Sequence, residues 1–153
     1  MTGATSAKLR VRLAEAGDLE CIHAIERVSF ADPWSLDGFR DLLEHARARV
    51  AVAVDADGEV LGYSVVWSVA DESEIANLAV APAARRRGIG TLLLTSVLDE
   101  AAANGIKSVF LEVRESNVAA QQLYLRRGFT VAGRRRQYYR RPVEDALIMR
   151  LGL

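Results

Sequence analysis

Arg85-Arg86-Arg87-Gly88-Ile89-Gly90 follows the apolar run Leu78-Ala79-Val80 after a short break at Pro82, and its reading decides the fold. Glu74 to Val80 has the composition of a strand, which Pro82 ends. Beyond the glycines, Leu92, Leu93, Val97, Leu98 and Ala101 repeat at helical spacing, up to a stop at Asn104-Gly105. Ser108 to Val113 is then short, apolar and β-rich, as a buried parallel strand is. The unit is strand, helix, parallel strand. In such a unit ligands favour the carboxyl ends of the strands, where the helix start presents unpaired N–H groups and a positive dipole end. Gly88 and Gly90 remove the Cβ atoms that would hold an anion off the backbone, and three arginines supply charge. The run therefore reads as an anion cradle, or more plainly as a solvated helix start. It is not a P-loop, because no lysine followed by Ser or Thr closes it, and it lacks the third glycine of the dinucleotide fingerprint.

The pattern extends outward in both directions. Leu9 to Leu13 alternates apolar and basic residues like an edge strand, and Gly17-Asp18 can cap a helix carrying Leu19, Ile22, Ile25 and Val28 through Phe30. Ala31-Asp32-Pro33-Trp34 breaks it, and Ser35 can cap a second helix with Leu36, Phe39, Leu42 and Leu43 on its apolar side. Val50–Val54 and Val60–Trp67, joined by the turn Asp55-Ala56-Asp57-Gly58, predict an antiparallel hairpin. After the parallel strand, a helix from about Asn117 to Arg127 is closed by Gly128, and strands near Thr130–Tyr139 and Ala146–Leu151 finish the sheet. The expectation is a single α/β domain over residues 9–153, with a mixed, mostly antiparallel seven-stranded sheet, about four helices and a flexible N-terminus over residues 1–8.

Composition bounds the function. In 153 residues, half of them apolar, one core forms without staples, and 20 basic residues balance 20 acidic ones. That balance argues against a dedicated nucleic-acid binder, so Arg134, Arg135, Arg136, Arg140 and Arg141 are not read as an RNA surface. One cysteine and two histidines match no metal-ligand spacing, and no metal is expected. No apolar run approaches a membrane span and no leader is legible, so a cytoplasmic protein with no membrane partner is expected. A monomer is the simpler expectation.

With R-x-x-G-x-G after Leu78-Ala79-Val80, and Asn117-Val118-Ala119-Ala120-Gln121-Gln122-Leu123-Tyr124-Leu125-Arg126-Arg127-Gly128-Phe129 in the form N-x-x-A-x-x-x-Y-x-x-x-G-F, the chain resembles the GNAT acetyltransferases. The resemblance implies the GNAT fold, whose sheet contains a central splayed parallel pair, and acetyl-CoA as cosubstrate. It also implies that Arg85, Arg86, Arg87, Gly88, Ile89, Gly90 and Thr91 hold the pyrophosphate. Leu78, Ala79 and Val80 would lend backbone groups to the pantetheine arm and acetyl carbonyl, and Asn117 would add a cofactor contact beside its role as a helix cap.

Transfer from a thioester to an amine needs a neutral amine, a dipole for the oxyanion and an acid for the thiolate. Glu112 interrupts the apolar run Val109-Phe110-Leu111-Glu112-Val113, where burying an unpaired charge is costly. It is the candidate general base, directly or through a water, and an ion pair with Arg114 or Arg86 is the structural alternative. Tyr124 is the candidate general acid, and a core aromatic is its alternative. A backbone N–H near Val80 would meet the oxyanion. No Ser or Cys has the partners of a covalent nucleophile.

The segments Ile25-Glu26 to Phe30 with Asp32-Pro33-Trp34-Ser35, Leu111 to Asn117, and Arg134-Arg135-Arg136-Gln137-Tyr138-Tyr139 with Glu144 to Met149 narrow the resemblance to the RimI-type group. Those enzymes acetylate the N-terminal alanine of a bacterial small-subunit ribosomal protein, and Glu112 and Tyr124 match their base and acid. An α-amine suits a modest base, since its pKa near 8 leaves a sizeable neutral fraction at neutral pH against about a thousandth for lysine. Phe30, Trp34, Tyr138 and Tyr139 could line the peptide's entry, or could simply pack on the sheet. Asp71, Glu72 and Glu74 could attract a basic peptide, or form a solvated turn. Open alternatives are a GNAT enzyme acting on lysine, other protein N-termini or a small amine, and a non-catalytic acetyl-CoA-binding module.

Overall fold

A computed structural model describes residues 8–153. The expectation of a flexible segment over residues 1–8 thus falls, except for Lys8, outside the described residues. The elements are β1 (Arg10–Leu13), α1 (Leu19–Ser29), α2 (Leu36–Leu43), β2 (Ala48–Val54), β3 (Val60–Val69), β4 (Glu72–Val80), α3 (Ile89–Ala103), β5 (Ser108–Arg114), α4 (Val118–Arg126), β6 (Thr130–Arg140) and β7 (Val143–Gly152). Single 3₁₀ turns at Ala16–Asp18 and Pro82–Ala84 lead into α1 and α3. The seven strands lie in the order β1-β2-β3-β4-β5-β7-β6, with β4 and β5 the parallel pair and every other neighbour antiparallel. The expected α/β sheet with four helices is what forms.

The helices pack on opposite faces. Leu19, Ile22 and Ile25 of α1 and Phe39 of α2 bury Val50, Val52, Val54, Tyr63 and Val65 on one face. Leu94, Val97, Leu98 and Ala101 of α3 and Tyr124 of α4 cover Ile75, Val109, Leu111, Val113 and Met149 on the other. β2 and the first half of β3 are covered on both sides, which is why their sequences run apolar without polar alternation. β6 is an edge strand and is mostly exposed, which accommodates its run of arginines. The sequence-based boundaries of β3, β6 and β7 stop short of the observed ends, because ladder pairing carries each strand into polar residues that period-two patterning leaves out.

Two local contacts fix the frame. Asp18 takes both Arg12 guanidinium nitrogens (2.7 and 3.0 Å) and the Glu15 N–H (2.8 Å), tying edge strand β1 to the start of α1. The Arg12 hydrogen bonds hold the Asp18 carboxyl below the usual carboxylate range. Gly62 of β3 is the second. A Cβ there would lie 2.8 Å from the Ala79 carbonyl and about as tightly against Leu93 (3.1 Å) and Ile89 (3.2 Å), so the missing side chain lets α3 close onto β3 and β4.

Asp18→Asn is expected to lower stability at neutral pH by about 1–2 kcal/mol, the scale of hydrogen bonds to a charged group. Because the folded pKa is depressed, that contribution is complete above the unfolded carboxylate value and is lost as pH falls through the lower folded one. Urea melts of both proteins should therefore converge in acid. Gly62→Ala is expected to cost about 1–3 kcal/mol from overpacking. Gly133→Ala, whose Cβ would meet only Ile148 at 3.5 Å, should be near neutral in the same melts.

Candidate active site

β4 and β5 pair at Glu72↔Ser108, Ser73↔Val109, Glu74↔Phe110 and Ile75↔Leu111, and there the pairing stops. β4 continues along β3 as far as Gly62↔Val80, while β5 continues along β7 as far as Arg114↔Ala146. The cause is visible in the β3 register. Val66 pairs with Ile75 and Val65 with Asn77, so Ala76 is an extra residue in β4. A bulge bends and twists its strand, and this one turns β4 away from β5 at the residue after their last pair. The two strands open into a V, with the inner edges of Ala76–Val80 and Glu112–Arg114 unpaired. Since β4 and β5 are parallel, the starts of α3 and α4 both come to the open end.

On one side of that opening lies the arginine and glycine run. Gly88 is the N-cap of α3 in the left-handed region (φ 78°) and offers no side chain to the first turn. Arg86 is also left-handed (φ 66°), so the chain reverses twice around Arg87 before entering the helix. Leu92 N–H is the first to reach back to the Gly88 carbonyl (3.0 Å), leaving the N–H groups of Ile89, Gly90 and Thr91 directed outward. Buried Ala84 and Ile89 pin the loop at both ends. Arg85, Arg86 and Arg87 are exposed and, among the described residues, enter no ion pair. Gly90 adjoins Leu123 of α4 (3.4 Å from a would-be Cβ), so the two helix starts sit close. Leu78 and Val80 pack toward α3, and Ala79 packs toward α1. This donor set fits the diphosphate of a coenzyme: unpaired amides, uncommitted guanidinium groups and no Cβ at the two glycines.

Glu112 is the first residue of β5 past its last pair with β4. With Phe110 and Arg114 it occupies the face opposite α3 and α4, half-buried while Val109, Leu111 and Val113 sink into the core. The alternative weighed for Glu112, an ion pair with Arg114 or Arg86, does not form. Arg114 instead engages Glu144 (3.0 Å) and stacks over Tyr139 (4.1 Å), and Arg86 stays in the cradle. The cation on Glu112 is Arg135, whose Nε rests against Oε2 without hydrogen-bond alignment, so that buried oxygen receives no hydrogen bond. The extra residues between Arg135↔Ala146 and Tyr139↔Glu144 bring β6 over this point, with Gln137 at φ 51°. Three acids respond to the carboxylate. Glu74 is raised by burial and then by Glu112, Tyr138 is raised by the same two causes in the same order, and Tyr139 is pushed up to about 12, again by burial first and Glu112 second.

Tyr124 lies on the other face, 6% exposed and edge-on to Phe129 (5.5 Å). Burial holds its phenol well above the ordinary value, and among the described residues its hydroxyl makes no hydrogen bond. Tyr124 and Glu112 therefore lie on opposite sides of β5. Asn117 is the N-cap of α4, its Oδ1 accepting from Ala120 N–H (3.1 Å). Phe30 and Trp34 are half-buried against the α1 face, with Trp34 tilted on Phe39 (5.5 Å). Tyr138 and Tyr139 meet edge-on (5.1 Å) across the cleft on β6, and an Asp32–Arg141 contact (3.7 Å) joins the two walls. Of the acidic cluster, Asp71 and Glu72 are exposed at the far end of β4, and only Glu74 reaches the Glu112 surroundings.

Three residues at the site were not singled out from the sequence: Glu74 as a neighbour of Glu112, Arg135 as its cation, and the buried Glu26. A signal existed for Glu26, which follows Ile22 by four residues and so falls on the inward side of α1. Among the described residues no group of three or more His, Cys, Asp or Glu could hold a metal, and no helix is long and apolar enough to cross a membrane.

The acetyltransferase (GNAT) family model matches residues 19–129. The [ribosomal protein bS18]-alanine N-acetyltransferases of Salmonella typhimurium and Escherichia coli are 35% and 36% identical, over 92% and 90% of this chain and 95% and 93% of theirs. The crystal structure of the Escherichia coli ribosomal-protein-S18-alanine N-acetyltransferase superposes with a TM-score of 0.86 at 34% identity, covering 94% of this chain and 93% of that one. Ard1 from Thermoplasma volcanium gives 0.88 at 25% identity, over 96% and 99%. The chain belongs to the GNAT family and is an N-acetyltransferase.

Proposed function

We propose that this enzyme acetylates the N-terminal alanine of the bacterial small-subunit ribosomal protein bS18 by direct attack of the α-amine on acetyl-CoA. The observation that carries the reading is the position of Glu112 at the first unpaired residue of β5, where a carboxylate can meet an amine entering the V between β4 and β5. The cradle from Arg85 to Thr91 neutralises the diphosphate, and Asn117 adds a polar group at the same mouth. The arm lies along the unpaired edge of Leu78-Ala79-Val80, where a backbone N–H donates to the acetyl carbonyl and holds the negative charge that develops there. The peptide enters on the α1 face between Phe30 and Trp34 on one wall and Tyr138 and Tyr139 on the other.

The α-amine reaches the V neutral, its first proton lost to solvent, and Glu112 takes the proton that the nitrogen sheds as the C–N bond forms, directly or through one water, once Arg135 has left the carboxylate. The nitrogen lone pair forms the C–N bond and the C–S bond breaks. Tyr124, kept protonated by burial, gives its proton to the departing thiolate from the other side of β5. An α-amine needs little help to lose a proton near neutrality, which suits a half-buried carboxylate already neighboured by Arg135. The names of the relatives that align over nine-tenths of the chain support alanine of bS18 as acceptor.

A thiol-release assay over peptides that differ only at residue one and in N-terminal blocking tests this. Turnover is expected on the free alanine peptide and not on its blocked form, with losses of about 100-fold or more for Glu112→Gln and for Tyr124→Phe. Activity that survives blocking would assign the acceptor to lysine or another amine. Near-normal rates in both variants would remove the proposed acid and base.

A further inference from the structure

Of the two glutamates of α1, Glu20 is exposed and Glu26 is 1% exposed. Among the described residues Glu26 has no ion-pair partner, yet its carboxylate accepts three hydrogen bonds from three different parts of the fold. Trp34 N–H donates to Oε2 (2.8 Å), Asn77 Nδ2 donates to Oε1 (2.7 Å), and the buried Tyr63 hydroxyl donates to the same Oε1. Burying an acid is costly, and donors of this number and quality offset that cost. The partners are not arbitrary. Trp34 belongs to the wall that the peptide would pass, and Asn77 is the residue after the bulge at Ala76, where β4 has left β5. Tyr63 also supports the Trp34 wall through Phe39, which it meets edge-on (5.7 Å) and on which Trp34 leans.

We propose that Glu26 is a positioning residue that clamps the acceptor wall to the donor strand, setting the distance at which amine and thioester meet. The inference rests on the reading that the amine enters past Trp34. Neutral partners mean that the clamp works by hydrogen bonding rather than by charge. A glutamine replaces it in part, with Oε1 accepting from Trp34 N–H and its amide group donating to Asn77, turned over, while the Tyr63 hydroxyl loses its acceptor. An alanine does not replace it, and it leaves three buried donors unpaired.

The test pairs an activity readout with one that does not depend on the substrate. In a Trp67→Phe background Trp34 is the sole tryptophan, because the chain has two. Glu26→Ala is expected to raise acrylamide quenching of Trp34 and to lower kcat/KM on the alanine peptide by about 100-fold, the scale of a misplacement near 1 Å. Acetyl-CoA affinity by calorimetry should hold, since the cradle is untouched. Glu26→Gln, which keeps the strut to Trp34, should lie between the parent and Glu26→Ala in both quenching and rate. Should Glu26→Ala not fold, Asn77→Ala removes one strut and is expected to give the same changes in smaller measure. A Gln variant as damaged as Ala, or a folded Ala variant with unchanged quenching, would overturn the clamp. Altered quenching with no peptide turnover even in the parent would instead count against the acceptor assignment and leave the clamp standing.

Discussion

The structure depends on a failure of pairing. Parallel strands at the centre of a sheet normally satisfy each other's backbone along their whole shared length, and here β4 and β5 do so for four residue pairs only. The inserted Ala76 turns β4 outward while β5 stays with β7, and each strand keeps a ladder on its other side. The opening is therefore stable without being closed. Its inner edges carry unpaired amides and carbonyls in the middle of a domain, an arrangement elsewhere seen at sheet margins. An extended arm with amide groups of its own is the chemistry such edges accept, and the two helix starts at the open end add dipoles of the sign that a diphosphate needs.

The sheet also separates the two charges that the reaction brings together. Arg85, Arg86 and Arg87 stand at the start of α3 with no acidic partner among the described residues, whereas Glu112 and Glu74 stand on the α1 face. A net charge of zero conceals this division, which is why composition alone excludes a polyanion binder and says nothing of a local anion site. Arg135 shows how the acidic side is kept ready. It pairs with Glu112 from an exposed edge strand, so the carboxylate is covered by a side chain that is itself open to solvent.

Legibility followed sequence distance. Periodicity exposes every helix and strand because each is decided within a dozen residues, and the cradle and the cap at Asn117 are local for the same reason. Glu112 stands out because a charge in an apolar run is anomalous wherever the run folds. Arg135 does not stand out, because its pairing depends on the irregular register between β6 and β7, and period-two reasoning names Arg114 and Arg86, the nearer candidates in the chain or the motif. Glu26 was visible only as a glutamate on the apolar side of α1, and its partners lie 8, 37 and 51 residues away. The bulge at Ala76 left no mark at all: Ile75-Ala76-Asn77-Leu78 reads as unbroken strand, and only the β3 register displays the extra residue.

In the reaction proposed above, Glu112 and Tyr124 give this separation its chemical meaning. Asn117 stands at the start of α4 as its cap, while Tyr124 is packed against Phe129 inside the fold. The phenol thus lies on the α4 side of β5 and the carboxylate on the α1 side. Acyl transfer moves a proton off the nucleophile and another onto the leaving group, and the two sites must not exchange protons with each other. Between the two proposed groups β5 turns Leu111 and Val113 to the Tyr124 side, so phenol and carboxylate lie on different faces of the strand. The same burial that raises the Tyr124 pKa keeps the phenol protonated, as the acid proposed for the leaving thiolate must be before transfer.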